Sequence, residues 1–130
     1  MRVRKLSRRI SQLYDGALAS TGLSVGQFGL LGTVIAGERL PLGTLAERLV
    51  MDRTSLSRTL KPLLAAGLVE LTSREGDRRV KLVVATAEGR AAFACAGPAW
   101  RDAQSSVDAL LGEQGRDALH AALDDALARL

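Results

Sequence analysis

Arg74, Arg78, Arg79 and Lys81 fall within Thr72–Leu82, "TSREGDRRVKL", with an apolar alternating stretch on either side. Cations at the tip of a hairpin add nothing to a core. They are solvated charge, partly neutralised by Glu75 and Asp77, or they meet something negative. A second group lies upstream. Arg53, Thr54, Ser55, Ser57, Arg58 and Lys61 put cations and small hydroxyls on the outer side of one amphipathic segment. Arginine can pair bidentately with guanine, and hydroxyls can meet bases or phosphates. Neither group holds a proton-transfer pair. One histidine, His120, one cysteine, Cys95, and no clustered carboxylates leave no triad, acid–base pair or metal set to assemble. A Gly-rich phosphate loop of the required spacing is also missing. The chemistry is therefore binding rather than catalysis, with no cofactor and no metal expected.

The chain has 130 residues, the usual size of one domain, and 47% hydrophobic residues, ample for a core. Aromatics are only 3%, so Leu, Val and Ala must fill that core, and Ala and Leu favour helices. Lys plus Arg number 18 against 14 Asp plus Glu. Their distribution says more than the sum. Residues 1–9 carry five cations (Arg2, Arg4, Lys5, Arg8, Arg9) and no anion, whereas residues 88–130 carry four cations and seven anions. One side faces a polyanion and another does something else. The lone Cys95 excludes an internal disulfide and suits a reducing cytoplasm. No apolar run approaches the roughly 18–20 residues needed to span a bilayer, so no membrane is expected as a partner. The basic N-terminus is too interrupted by polar residues to be a signal-peptide core.

Periodicity positions these groups. Val3, Leu6, Ile10, Leu13, Tyr14 and Ala17 recur at helical spacing and predict an amphipathic first helix to about Ser20–Gly22. Ser24-Val25-Gly26-Gln27 fits a capping box that opens a second helix, with Phe28, Leu31 and Ile35 inward. Pro41 opens a short third helix through Leu49, and Asp52 is a candidate N-cap for a fourth, Arg53–Ala66, closed by Gly67. Pro62 predicts a bend inside it, which would alter how the helix lies against a partner. The period then switches to two. Val69 and Leu71, then Val80, Leu82 and Val84, supply one apolar face of a hairpin whose turn contains Gly76-Asp77. Thr86 caps a long fifth helix carrying Phe93, Ala96, Trp100, Ala103, Val107 and Leu110, kinked at Gly97-Pro98. Gly112 and Gly115 mark a break before a last helix striped by Leu119, Leu123 and Leu127. Cys95 reads as a packed thiol. Trp100 and Phe93 read as packing of the helical body, with stacking on a small ligand as the alternative.

Two short helices joined by a turn, followed at once by a basic hairpin, make a winged helix-turn-helix. In that arrangement the fourth helix enters a major groove, and the wing reaches phosphates or the adjacent minor groove. The fold class is mainly α with a small β-hairpin. Residues 24–86 form the DNA-binding lobe, and residues 1–20 and 87–130 a helical region, within one domain spanning 1–130. The terminal helices carry long apolar stripes with little in one chain to cover them, which points to a dimer interface. Two-fold pairing would set two recognition helices about one DNA turn apart, on the order of 34 Å, to match a pseudo-palindrome.

The run "LAERLVMDRTSLSRTLKPLLAAGLVEL" followed by "REGDRRVKLVVATAEG" resembles the MarR-type multiple antibiotic resistance regulators. The matching pieces are Leu45-Ala46, Ser57-Arg58, Leu63 through Gly67-Leu68-Val69, Asp77 with Arg79, and Thr86-Ala87-Glu88-Gly89 as the opening of the long helix. Together they cover about residues 24–90, and Pro62 departs from the commonest pattern. The resemblance implies a homodimeric transcription regulator, usually a repressor, often relieved by a small phenolic or anionic effector. It also implies that Asp77 orients Arg79 for double-stranded DNA. No residue set in the sequence specifies the effector's chemistry. Because a fold does not by itself select a function, a winged-helix protein-interaction module that never engages DNA remains the alternative.

Overall fold

Local signals set the elements of the computed structural model, which describes all of residues 1–130. Their order is α1 (Arg2–Leu18), α2 (Val25–Gly37), β1 (Leu40–Pro41), α3 (Leu42–Leu49), α4 (Arg53–Ala65), β2 (Val69–Arg74), β3 (Asp77–Ala85) and α5 (Ala87–Arg129). The Ser24 capping box closes as expected. Gln27 N–H donates to Ser24 Oγ at 3.1 Å, and Ser24 N–H donates to Gln27 Oε1 at 3.0 Å. Asp52 caps α4 by accepting from Ser55 N–H at 2.7 Å. At the far end of α4, Gly67 takes a φ of 73° and Leu68 N–H returns to the Leu63 carbonyl at 2.9 Å, a left-handed stop that suits glycine.

The core lies inside the lobe. Leu30, Leu31 and Val34 of α2 are fully buried, and α2 packs on α1, α3, α4, α5 and β3. Each such side chain contributes about 1.5–3 kcal/mol relative to exposure. Leu45 of α3, Leu56, Leu60 and Leu63 of α4, and Val69, Val83 and Ala85 of the sheet complete the same cluster. This positions α4 rigidly while leaving its outer side free.

Several expectations change. The hairpin is part of a three-stranded sheet in the order β1-β3-β2, because Leu40 pairs with Val83 and Pro41 with Leu82. Pro41 therefore ends a strand as well as opening α3, where it takes the N-cap position. Val83, expected on the outer face, is fully buried, because β3 is the central strand and is covered on both faces. Leu71, expected inward, sits where the sheet runs past the core and is 42% exposed. α4 remains one helix across Pro62, whose carbonyl accepts from Ala66 N–H at 3.0 Å. Cys95 is exposed on α5 rather than packed.

α5 stays helical through Pro98 and Gly115. Its break falls at Gly112, with φ 74° and ψ 162°, a conformation only glycine adopts readily. The arm beyond, 113–130, is nearly all exposed, with only Arg116 and Leu119 half-covered. No single helix is long and apolar enough to cross a membrane.

Candidate nucleic-acid interface

α4 presents two adjacent outer stripes. Arg53, Ser57 and Lys61, spaced i, i+4, i+8, line a cavity together with Leu71 of β2, so this stripe faces the wing. Thr54 and Arg58 occupy the neighbouring exposed stripe, followed by Pro62. Ser55 is half-buried at the cap. Its hydroxyl donates to Asp52 Oδ2 at 3.2 Å, so it is already engaged. The Ser55 backbone N–H, followed by its hydroxyl, holds the Asp52 carboxyl below the usual carboxylate range.

The wing is β2, a two-residue turn at Glu75-Gly76 and β3. The register shifts between Ser73 and Arg74, so that Arg74 faces Asp77 across the tip. Asp77 Oδ1 accepts from both Arg79 N–H at 3.1 Å and Arg79 Nε at 3.2 Å. The first bond seats the carboxylate against the backbone and the second holds the guanidinium, although the Arg79 side chain is 91% exposed. The Arg79 side chain is the main cause holding the Asp77 carboxyl below its ordinary range, with the Arg79 backbone N–H second. Strand alternation sets Arg79, Lys81, Val83 and Ala85 on one face and Arg78, Val80 and Leu82 on the other. The face that buries Val83 and Ala85 therefore carries Lys81 and Arg79 outward beyond the core, and Arg78 points the opposite way. Lys81 Nζ donates to Ser73 Oγ at 3.2 Å. The period-two spacing of residues 79 and 81 was the signal that Lys81 shares the Arg79 face.

A second cavity, of about 550 Å³, opens between α2, α3 and α5. Phe28, Phe93 and Trp100 wall it, and Arg48 and Arg101 stand at it. Phe28 stacks on Phe93 with centroids 4.6 Å apart and on Trp100 at 5.8 Å. Trp100 also tilts against Tyr14 at 6.1 Å, so all four aromatics of the chain form one cluster. The Tyr14 hydroxyl donates to Gln104 Oε1, and the Gln104 amide donates to Asp108 at 3.2 Å. Burial first, and the Asp108 charge second, push the Tyr14 phenol above its usual range. Sequence reading did not place Arg48 and Arg101 together, because they lie on helices far apart in the chain.

This arrangement of α3, α4 and a pinned basic wing is that of a winged helix-turn-helix transcriptional regulator. The MarR family model matches residues 21–80. The transcriptional regulator MosR of M. tuberculosis is 33% identical, with a TM-score of 0.80 over 98% of this chain and 93% of that one. A structure of MosR in complex with DNA matches with the same identity and TM-score over 99% and 96%. The transcriptional repressor CouR, bound to a 23-mer DNA duplex, is 25% identical with a TM-score of 0.89 over 97% and 89%. No curated protein matches by sequence. The chain belongs to the MarR family.

Proposed function

We propose that this protein is a homodimeric, sequence-specific repressor of transcription that binds a pseudo-palindromic site in double-stranded DNA in the cytoplasm. Residues 24–86 act as the DNA-binding lobe, and residues 1–20 with 87–130 as the dimerisation region. Arg53, Thr54, Ser57, Arg58 and Lys61 of α4 meet the major groove, with Ser55 holding the start of the helix. Arg74, Arg78 and Arg79 of the wing meet phosphates or the adjacent minor groove, and Asp77 orients Arg79. The observation that carries this reading is the Asp77–Arg79 pair. An exposed guanidinium is held through Nε by a carboxylate that is itself seated on the Arg79 backbone N–H, and Arg79 lines a cavity with Arg53 of α4. A solvated charge would need no such fixing.

The cavity at Phe28, Phe93, Trp100, Arg48 and Arg101 supports release by a small phenolic or anionic effector, since aromatic walls with two cations suit a planar anion. It borders α3, so an occupant that favours one lobe position would shift DNA affinity.

Selection of genomic fragments by the purified protein tests the function. Enrichment of one pseudo-palindrome, bound with an affinity that falls steeply with salt, is the expected result. Recovery of no preferred sequence at low salt would overturn it.

A further inference from the structure

A third cavity, of about 290 Å³, lies where three elements meet: the β1–α3 corner, the first residue of α4 and the base of the wing. Three cations line it: Arg53 from α4, and Arg79 and Lys81 from β3. None of its lining residues is a carboxylate, and Gly43, at the corner, adds no side chain to fill it. The cations stand there for a structural reason. Residues 79 and 81 share the face of β3 that buries Val83, so both side chains leave the core on the side of α4. Two of the three are also held: Arg79 by Asp77, and Lys81 by Ser73 at 3.2 Å. Three like charges brought to one depression repel one another, so an anion seated among them relieves that repulsion.

We propose that this cavity binds a single phosphodiester of the DNA backbone, and that Arg53 and Lys81 grip it from opposite walls. The proposal rests on the DNA-binding reading above and deepens it. Arg53 belongs to the recognition helix and Lys81 to the wing, so one shared phosphate ties the two elements to the same point of the duplex. The phosphate becomes a register mark from which Arg58 reads one way and Arg79 the other. Lys81 thereby acquires a role separate from the wing tip: it fixes where the helix sits along the groove.

The test uses the full chain and a duplex carrying the selected pseudo-palindrome, synthesised as a series with one neutral methylphosphonate per half-site at successive positions. Wild type, Arg53→Ala, Lys81→Ala and Arg78→Ala are titrated against each duplex. One position is expected to weaken wild type and Arg78→Ala about tenfold, and to weaken Arg53→Ala and Lys81→Ala distinctly less, at that same position for both. Each of these two substitutions lowers the salt slope by about one. If Arg53→Ala and Lys81→Ala lose sensitivity at different positions, or at none, the shared site is wrong. If inorganic phosphate at constant ionic strength binds the free protein in a Lys81-dependent way, while the methylphosphonate series shows no such position, the cavity holds a free anion and the proposal also falls. Failure of the function itself looks different, because no duplex is then preferred and the series cannot be built.

Discussion

Gly89 lies so close to the chain at Leu68 that a Cβ placed on it would stand 1.9 Å from the Leu68 carbonyl oxygen. The same carbonyl accepts from Thr86 N–H at 3.1 Å, and the Thr86 hydroxyl donates to the Gly67 carbonyl at 2.6 Å while accepting from Gly89 N–H at 3.0 Å. The Thr-x-x-Gly opening of α5 is therefore a clasp between the long helix and the end of the recognition helix. The threonine supplies the cap and a bond across, and the glycine supplies the room. Because the obstacle at residue 89 is backbone, it cannot rotate away. Gly89→Ala is expected to destabilise the fold by about 1–3 kcal/mol, and Thr86→Ala by about 0.5–2 kcal/mol. Urea denaturation at fixed protomer concentration measures both, and a Gly89→Ala protein as stable as wild type would refute the clasp.

Arg79→Ala should cost about 1–3 kcal/mol of DNA affinity if the guanidinium reads a base edge, or lower the salt slope by about one if it touches phosphate. Asp77→Asn should weaken binding in the same direction but less, because it frees the guanidinium without removing it. Adding Asp77→Asn to Arg79→Ala should then change little, since the carboxylate acts through the arginine. Full additivity in a gel-shift double-mutant cycle would show that Asp77 works independently.

The same pair sets an acid limit. The Asp77 and Asp52 carboxyls are both held below the usual carboxylate range in the folded protein, by Arg79 and by Ser55 respectively. A depressed folded pKa means that the contribution is present above the unfolded value and is lost as pH falls through the folded one. Wing order and the α4 cap are therefore constant from neutral pH down to about 5 and weaken only below about 4. Acid titration by NMR of the Arg79 and Ser55 backbone amides should show this. A transition at either amide near pH 6 would contradict it.

Much of this architecture is legible in the sequence, because it is encoded in short-range signals. Ser24, Asp52 and Thr86 act on donors within three residues, and Gly67 needs only its own φ. The wing declares itself by a period of two around Gly76-Asp77. What stays hidden depends on distant partners. β1 is two residues long and includes a proline, so it has no period, and only its pairing with residues 82 and 83 makes it a strand. Val83 lies on the outer face of an isolated hairpin and is buried because the helices of the lobe cover that face. Cys95 sits among alanines, and nothing local says which side of α5 meets the lobe. The cations of the two cavities converge from elements separated by tens of residues, so their types are visible in the chain and their meeting is not.

Leu110, Leu123 and Leu127 are 81%, 41% and 64% exposed, an apolar surface on the terminal helical region that solvent would not favour leaving bare. If that surface pairs two copies, charge placed on it should separate them. Leu123→Asp with Leu127→Asp is expected to yield a monomer by sedimentation equilibrium, with the lobe still folded because neither residue touches its core. DNA affinity should fall far more than any single wing substitution achieves, since the second half-site contact is lost. A double variant that remains dimeric would move the interface elsewhere.

Trp100 is the only tryptophan and stacks on Phe28 at the wall of the 550 Å³ cavity, so its fluorescence reports on an occupant. Benzoate is a simple probe with the expected chemistry: a ring for the aromatic walls and a carboxylate for Arg48 and Arg101. Saturable quenching is expected, with Arg101→Ala binding on the order of tenfold more weakly, as loss of a charged hydrogen-bond partner implies. Gly32→Ala offers a second handle. Its Cβ would lie 2.8 Å from Phe93 Cε2, so the ring must shift and change the shape of the cavity. Linkage then ties the cavity to the operator. Whatever factor benzoate takes from DNA affinity, the duplex must take from benzoate affinity. Fluorescence titrations with and without operator, set against gel shifts with and without benzoate, measure the two factors independently. Quenching with both factors equal to one would mean that the cavity binds an aromatic anion yet has no hold on the lobes.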